Sequence, residues 1–262
     1  MSGGATSDAF ILTLPSDACM DLFPGNTQAN YTTKLPHPIE LSGRFEVALL
    51  SLIYPHTWPT LANKEETKIS LFHGEKEEDR QRVDGYMHRG HYDTSQKLIG
   101  EVNRTLRFLL PQDKKRGAAV RFYPIPQRAE LIVAQHVGVL FSKTVSEMLG
   151  FHKRRLEANT IGANVVDVSK GFNSLFVYSD IVEPNIVGGS KVSLLRVVRP
   201  SGRDGETVER TFETPLYYPV AKSTFETIEI SLNQDDGTLV PFERGKVHVV
   251  LHFRRRKKYA LF

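Results

Sequence analysis

His88 and His91, with Asp93 close behind in the stretch MHRGHYD, come nearer than any other residues of this 262-residue chain to a metal-ligand set. Imidazoles that share an ion need one face and further ligands, yet here a glycine stands between them and no cysteine or second pair follows at metal spacing. The stretch therefore reads as a loop before a helix. His248 and His252 lie in an alternating apolar segment, so they share one face of a strand and read as solvent-facing or interface histidines. Cys19 is the only cysteine, which excludes an intrachain disulfide. Beside Met20 it reads as a small buried apolar group, since no spacing pairs it with a histidine base. Asp180 interrupts the apolar run SLFVYSDIV and Glu183 follows it, but nothing around them marks the apolar pocket that drives two carboxyl pKa values apart. A strand-end hydrogen bond or an interface ion pair is expected there. No GxGxxG, GxxxxGK(S/T), GxSxG, HExxH or CxxC is present, so the sequence predicts no enzyme, no cofactor and no metal.

The densest chemistry is positive charge. Arg254, Arg255, Arg256, Lys257 and Lys258 run together, and Tyr259, Leu261 and Phe262 follow. Five cations on a tail could neutralise about five phosphates, and such binding would weaken roughly several-hundred-fold between 50 and 200 mM salt. The aromatics come after the cluster and do not interleave with it, as a stacking platform for single strands would require. The alternative is insertion of Tyr259, Leu261 and Phe262 into an apolar groove of a neighbouring subunit, with the arginines pairing to its carboxylates or to packaged DNA. The formal charge of +4 falls to −1 without these five residues, so the body is expected to lack a spread basic face.

The elements that must position these groups are strands. With 40% hydrophobic and 24% charged residues the composition is that of a globular protein, and no run approaches the ~18 apolar residues of a membrane span. MSGGATSDAF has neither a basic nor an apolar leader region, which predicts a product of the cytosol or nucleus. Segments 10–14, 45–54, 68–72, 118–123, 129–134, 137–142, 174–182, 191–198, 207–220, 226–232 and 246–253 are rich in β-branched and aromatic residues between breakers, giving about eleven strands. Ile228, Ile230 and Leu232, and likewise Val247, Val249, Leu251 and Phe253, alternate as half-buried strands do. Val47 through Tyr54 is apolar at nearly every position, which predicts burial on both faces. Two short helices are expected. Asp93 with Gln96 forms a capping box before Leu98, Ile99, Val102 and Leu106, and Thr144 with Glu147 forms another before Met148 and Leu149, closed by Gly150. Many strands, few helices and no βαβ alternation predict an antiparallel sandwich or barrel with a helical insertion at about 84–168.

FEVALLSLIYPHTW (45–58), NSLFVYSDIVEPNIVGGSKVSLLRVV (173–198) and above all STFETIEISLNQDDGTLVPFERGKVHVVLHFRR (223–255) resemble the minor capsid, or penton, proteins of Polinton/Maverick elements and adintoviruses. The resemblance runs from about Phe10 to Arg255. It implies an all-β fold, a single jelly-roll antiparallel β-sandwich over 10–253 carrying the insertion, with first and last strands as neighbours. It further implies a vertex protein assembling as a homo-pentamer in an icosahedral virion whose facets are a separate double-jelly-roll major capsid protein, made and assembled in host cytoplasm or nucleus. The arm before the domain, residues 1–9, is short for the contacts such arms make, which puts the burden on the basic tail, 254–262. Two other functions fit the same residues: a nucleic-acid-binding module acting through the tail, and a carbohydrate-binding jelly roll for host attachment. The last would have Trp58 as its single tryptophan platform.

Overall fold

The computed structural model describes residues 8–74, 79–110, 117–169 and 172–256. The chain divides into two compact units, Met1–Thr57 with Phe172–Phe262, and Trp58–Gly171. The first unit holds β1 (Ala9–Pro15), β2 (Asn30–Glu40) and β3 (Phe45–Pro55). In the second lie β4 (Lys68–His73), β5 (Gln81–Tyr86), α1 (Ser95–Leu109), β6 (Ala118–Tyr123), β7 (Arg128–Val133), β8 (Val137–Phe141), α2 (Lys143–Met148), β9 (Arg155–Leu156) and β10 (Thr160–Ile161). The chain then returns to the first unit as β11 (Leu175–Ser179), β12 (Asn185–Val187), β13 (Ser190–Val192), β14 (Leu194–Val198), β15 (Thr207–Thr211), β16 (Tyr218–Pro219), β17 (Thr224–Asn233) and β18 (His248–Arg255).

The strand order of the first unit is that of a jelly roll. One sheet runs β1-β18-β3-β15, with β16 also on β3, and the other runs β14-β11-β17-β2. Every ladder in both sheets is antiparallel. Four of the pairings, β1 with β18, β2 with β17, β3 with β15 and β11 with β14, join strands progressively closer along the chain, as in one long two-stranded ribbon. β16 extends the β3–β15 limb on the same partner, and the pairings of β18 with β3 and β17 with β11 roll that ribbon into two facing sheets. First and last strands are neighbours, in register from Ala9 opposite Arg254 to Pro15 opposite His248.

Alternation supplies the interior. Leu14, Val47, Leu49, Leu52, Val249, Leu251 and Phe253 of one sheet are buried, as are Val177, Ile228, Ile230 and Leu232 of the other. Burying such a side chain fully is worth about 1.5–3 kcal/mol. Phe253 is the join between layers: its ring stacks on Phe10 at 4.8 Å and on Phe225 of the facing sheet at 5.8 Å. The buried Tyr31 hydroxyl crosses in the same way to donate to the Leu14 carbonyl at 3.0 Å. As the apolar run predicts, β3 is buried on both faces, with only Glu46, Leu50 and Ile53 half-exposed.

Several expectations are corrected. The second unit opens at Trp58, earlier than the 84 expected for the insertion, because KISLF pairs with β5 and β8 and so belongs to that unit's sheet. The sequence does not mark β2 as a strand, because Pro36 and Pro38 break its pattern. It is tolerated because β2 is an edge strand, and its register on β17 skips from Lys34 to Ile39 so that both prolines fall outside the ladder. Segment 207–220 is two short strands on the same partner, and 191–198 is also two. Both helices are capped elsewhere than expected. The Thr94 hydroxyl accepts from the Lys97 N–H, and that of Ser142 from the Val145 N–H. Gly150 does close the second helix, at φ 81°. Helix α1 is also longer than expected, 15 residues, and buries Leu98, Ile99, Val102 and Leu106 against a core shared with Leu71, Leu131 and Phe141.

Candidate assembly surfaces

The last strand does not stop at the basic cluster. β18 runs on through Arg254 and Arg255, and the register sets Arg254 opposite Glu46 on β3. Arg254 Nε donates to Glu46 Oε1 at 2.6 Å, while its guanidinium carbon lies 3.4 Å from the centre of the Tyr217 ring. Tyr217 in turn has its hydroxyl 2.6 Å from His252 Nδ1, so four side chains form one connected group on the outward side of the sheet. Arg255 donates to the Ser42 carbonyl, pairs with Asp8 at 3.3 Å and sits over Phe45. Arg256 gives only its backbone N–H, to the Arg44 carbonyl, and its side chain has no partner among the described residues. Arg254 and Arg255, the first two of the five cations, are thus held by carboxylates of their own chain. Lys257, Lys258, Tyr259, Leu261 and Phe262 lie outside the described residues.

The outward side of the second sheet is different in kind. Phe176 and Tyr178 alternate with the buried Leu175, Val177 and Ser179, so both project from it, their ring centres 6.3 Å apart and their planes within 12°. Val197, paired with Phe176 on β14, is 45% exposed beside them. Partial burial pushes the Tyr178 hydroxyl pKa up. On the other flank β17 presents Glu229, Ser231 and Asn233. Asp180 does what its place at a strand end predicts: Oδ1 accepts the Glu229 N–H at 2.8 Å and Oδ2 takes the Lys222 ammonium.

The remaining sequence candidates have local partners. His88 lies 3.2 Å from Glu101 on α1, and its N–H donates to the same carboxylate. Burial pushes the Glu101 carboxyl up, but the Arg104 guanidinium and the His88 N–H outweigh it and hold the group below the ordinary range. His91 Nδ1 faces the Trp58 carbonyl at 3.4 Å. Among the described residues no three His, Cys, Asp or Glu side chains gather as a metal site. Cys19 is half-buried, not buried, and its sulfur accepts the Lys34 N–H at 3.3 Å, tying the turn after β1 to β2.

No protein-family model matches the sequence, and no curated protein does. Among solved structures, a crystal structure of the mavirus penton protein aligns over 94% of this chain and 99% of that chain, with 8% identity and a TM-score of 0.49. The jelly roll rests on this chain's own strand order and registers.

Charge divides unevenly between the units. Trp58–Gly171 carries nineteen Lys and Arg against fourteen Asp and Glu, a net +5, while the other unit carries fifteen against sixteen. Without the five cations of 254–258 the jelly-roll unit stands at −6, so the expected near-neutral body is the sum of a basic insertion and an acidic sandwich. No described helix is long and apolar enough to cross a membrane.

Proposed function

We propose that this chain is a structural virion protein, a vertex subunit that closes as a pentamer in an icosahedral shell beside a double-jelly-roll major capsid protein. The observation that carries the reading is where the resembling residues fall. The block 223–255 folds as β17 and β18, an interior strand of each sheet, and the block 45–58 supplies β3 beside β18. The likeness thus lies on the framework of a single jelly roll, the architecture such a subunit requires.

Closed rings need two unlike patches per subunit, each pair burying about 1,000 Å² or more. The sandwich offers two such faces: the hydrogen-bonded Arg254, Tyr217 and His252 group on one sheet, and the aromatic strip of Phe176 and Tyr178 on the other. Light scattering on the eluting protein, with electron microscopy of the same fractions, tests the proposal. A five-petalled ring, alone or with the major capsid protein, is the expected outcome. A strict monomer at high concentration under both conditions overturns it.

A further inference from the structure

The outward face of the β14-β11-β17-β2 sheet is aromatic at its centre and acidic at its ends. Phe176 and Tyr178 stand side by side on β11 with Val197 against them. Beyond Tyr178 the same face continues to Asp180 and Glu229, and beyond Phe176 it meets Asp235, whose Oδ2 accepts from the N–H groups of Asn173 and Ser174. Three of the nearby cations are already engaged. Lys222 is taken by Asp180, Lys34 by Glu226, and Arg196 lies over the Phe212 ring at 4.0 Å. Neither Glu229 nor Asp235 has a cation partner among the described residues, so the strip keeps two uncompensated negative charges flanking its rings.

That pattern is the complement of one segment of this chain. Residues 256–262, RKKYALF, carry three cations followed by two aromatics and a leucine, and 256 is where the engaged cations give out. We infer that the segment 256–262 of one copy lies on the Phe176–Tyr178 strip of a neighbouring copy, its cations toward Glu229 and Asp235 and its aromatic side chains against the rings. Aromatic pairing and cation–π contact both favour this seating, and desolvating the rings adds to it. DNA is the less fitting occupant of the face, because uncompensated carboxylates repel phosphate. The inference deepens the proposed shell role and rests on it for the identity of the neighbour.

A photo-crosslinking amino acid at Tyr259 in the full chain tests it, with light- and heavy-isotope copies mixed before irradiation. The expected product joins a light copy to a heavy one, maps to 176–178 or 197, and falls roughly tenfold in yield with Glu229→Lys or with Tyr178→Ala. Glu229→Lys is a surface change, so loss of yield there does not depend on misfolding. Products within one copy, on another surface or on added duplex DNA overturn the inference, as does no product at any concentration. A pentamer that persists while the crosslink fails leaves the vertex role standing and removes this contact alone.

Discussion

Arg254 lies over Tyr217, its guanidinium carbon 3.4 Å from the ring centre, and the two belong to segments that reach the same patch from opposite sides of β3. The contact makes a nominal tail residue part of the sheet. Replacing Arg254 with Ala removes this stacking and the Glu46 bond, at a cost of about 1–2 kcal/mol in chemical denaturation. Arg254→Lys keeps the charge but not the planar group, and recovers less than half of that. A double cycle with Tyr217→Ala isolates the stacking itself.

Phe253 touches both sheets, through Phe10 and Phe225, whereas Phe176 stands on an outer face. Phe253→Ala is expected to cost about 3–5 kcal/mol and to lower the thermal midpoint sharply. Phe176→Ala, at the same chemistry but without a core to disrupt, changes it by less than about 1 kcal/mol. Equal losses would contradict the facing of the two sheets at Phe253.

High pH should destabilise the protein chiefly through two phenols more deeply buried than Tyr178. Burial pushes the Tyr31 hydroxyl well above its ordinary pKa, and burial with the nearby Glu101 carboxylate pushes Tyr92 up to about 12. In the unfolded chain both ionise near pH 10, so above it the unfolded state binds fewer protons than the native one and stability falls as pH rises. Below pH 10 the contribution is fully present. Tyr31→Phe loses the bond to Leu14, about 1 kcal/mol at neutral pH, yet flattens the alkaline decline followed by circular dichroism.

Gly150 closes α2 at φ 81°, and a Cβ there would collide with the Asn164 carbonyl oxygen. Both the strained backbone and the collision with main chain oppose a side chain. Gly150→Ala is expected to destabilise the Trp58–Gly171 unit by more than about 2 kcal/mol, seen as faster proteolysis within it. Gly100, with no atom within 4 Å of its Cβ position and a helical backbone, tolerates alanine or gains from it.

Sequence alone determined the all-β class, the alternation of β17 and β18 and the two-sided burial of β3, because side-chain period and hydrophobicity are local properties of the chain. It also marked Asp180 for a strand-end hydrogen bond or an ion pair, and the fold gives the carboxylate the Glu229 N–H and the Lys222 ammonium of its own chain. The tertiary structure decided the rest. Whether Pro36 and Pro38 forbid a strand depends on β2 lying at an edge, and whether KISLF belongs to the sandwich or the insertion depends on which strand it pairs with. The surroundings of the first arginines were decided in the same way: a run of cations reads as a tail for phosphate or a neighbour, and only the ladders of β1, β3 and β16 bring Asp8, Glu46 and Tyr217 to Arg254 and Arg255. Charge is written in the sequence, but its partners lie 37 to more than 200 residues away, and only the rolled ribbon brings them within bonding distance.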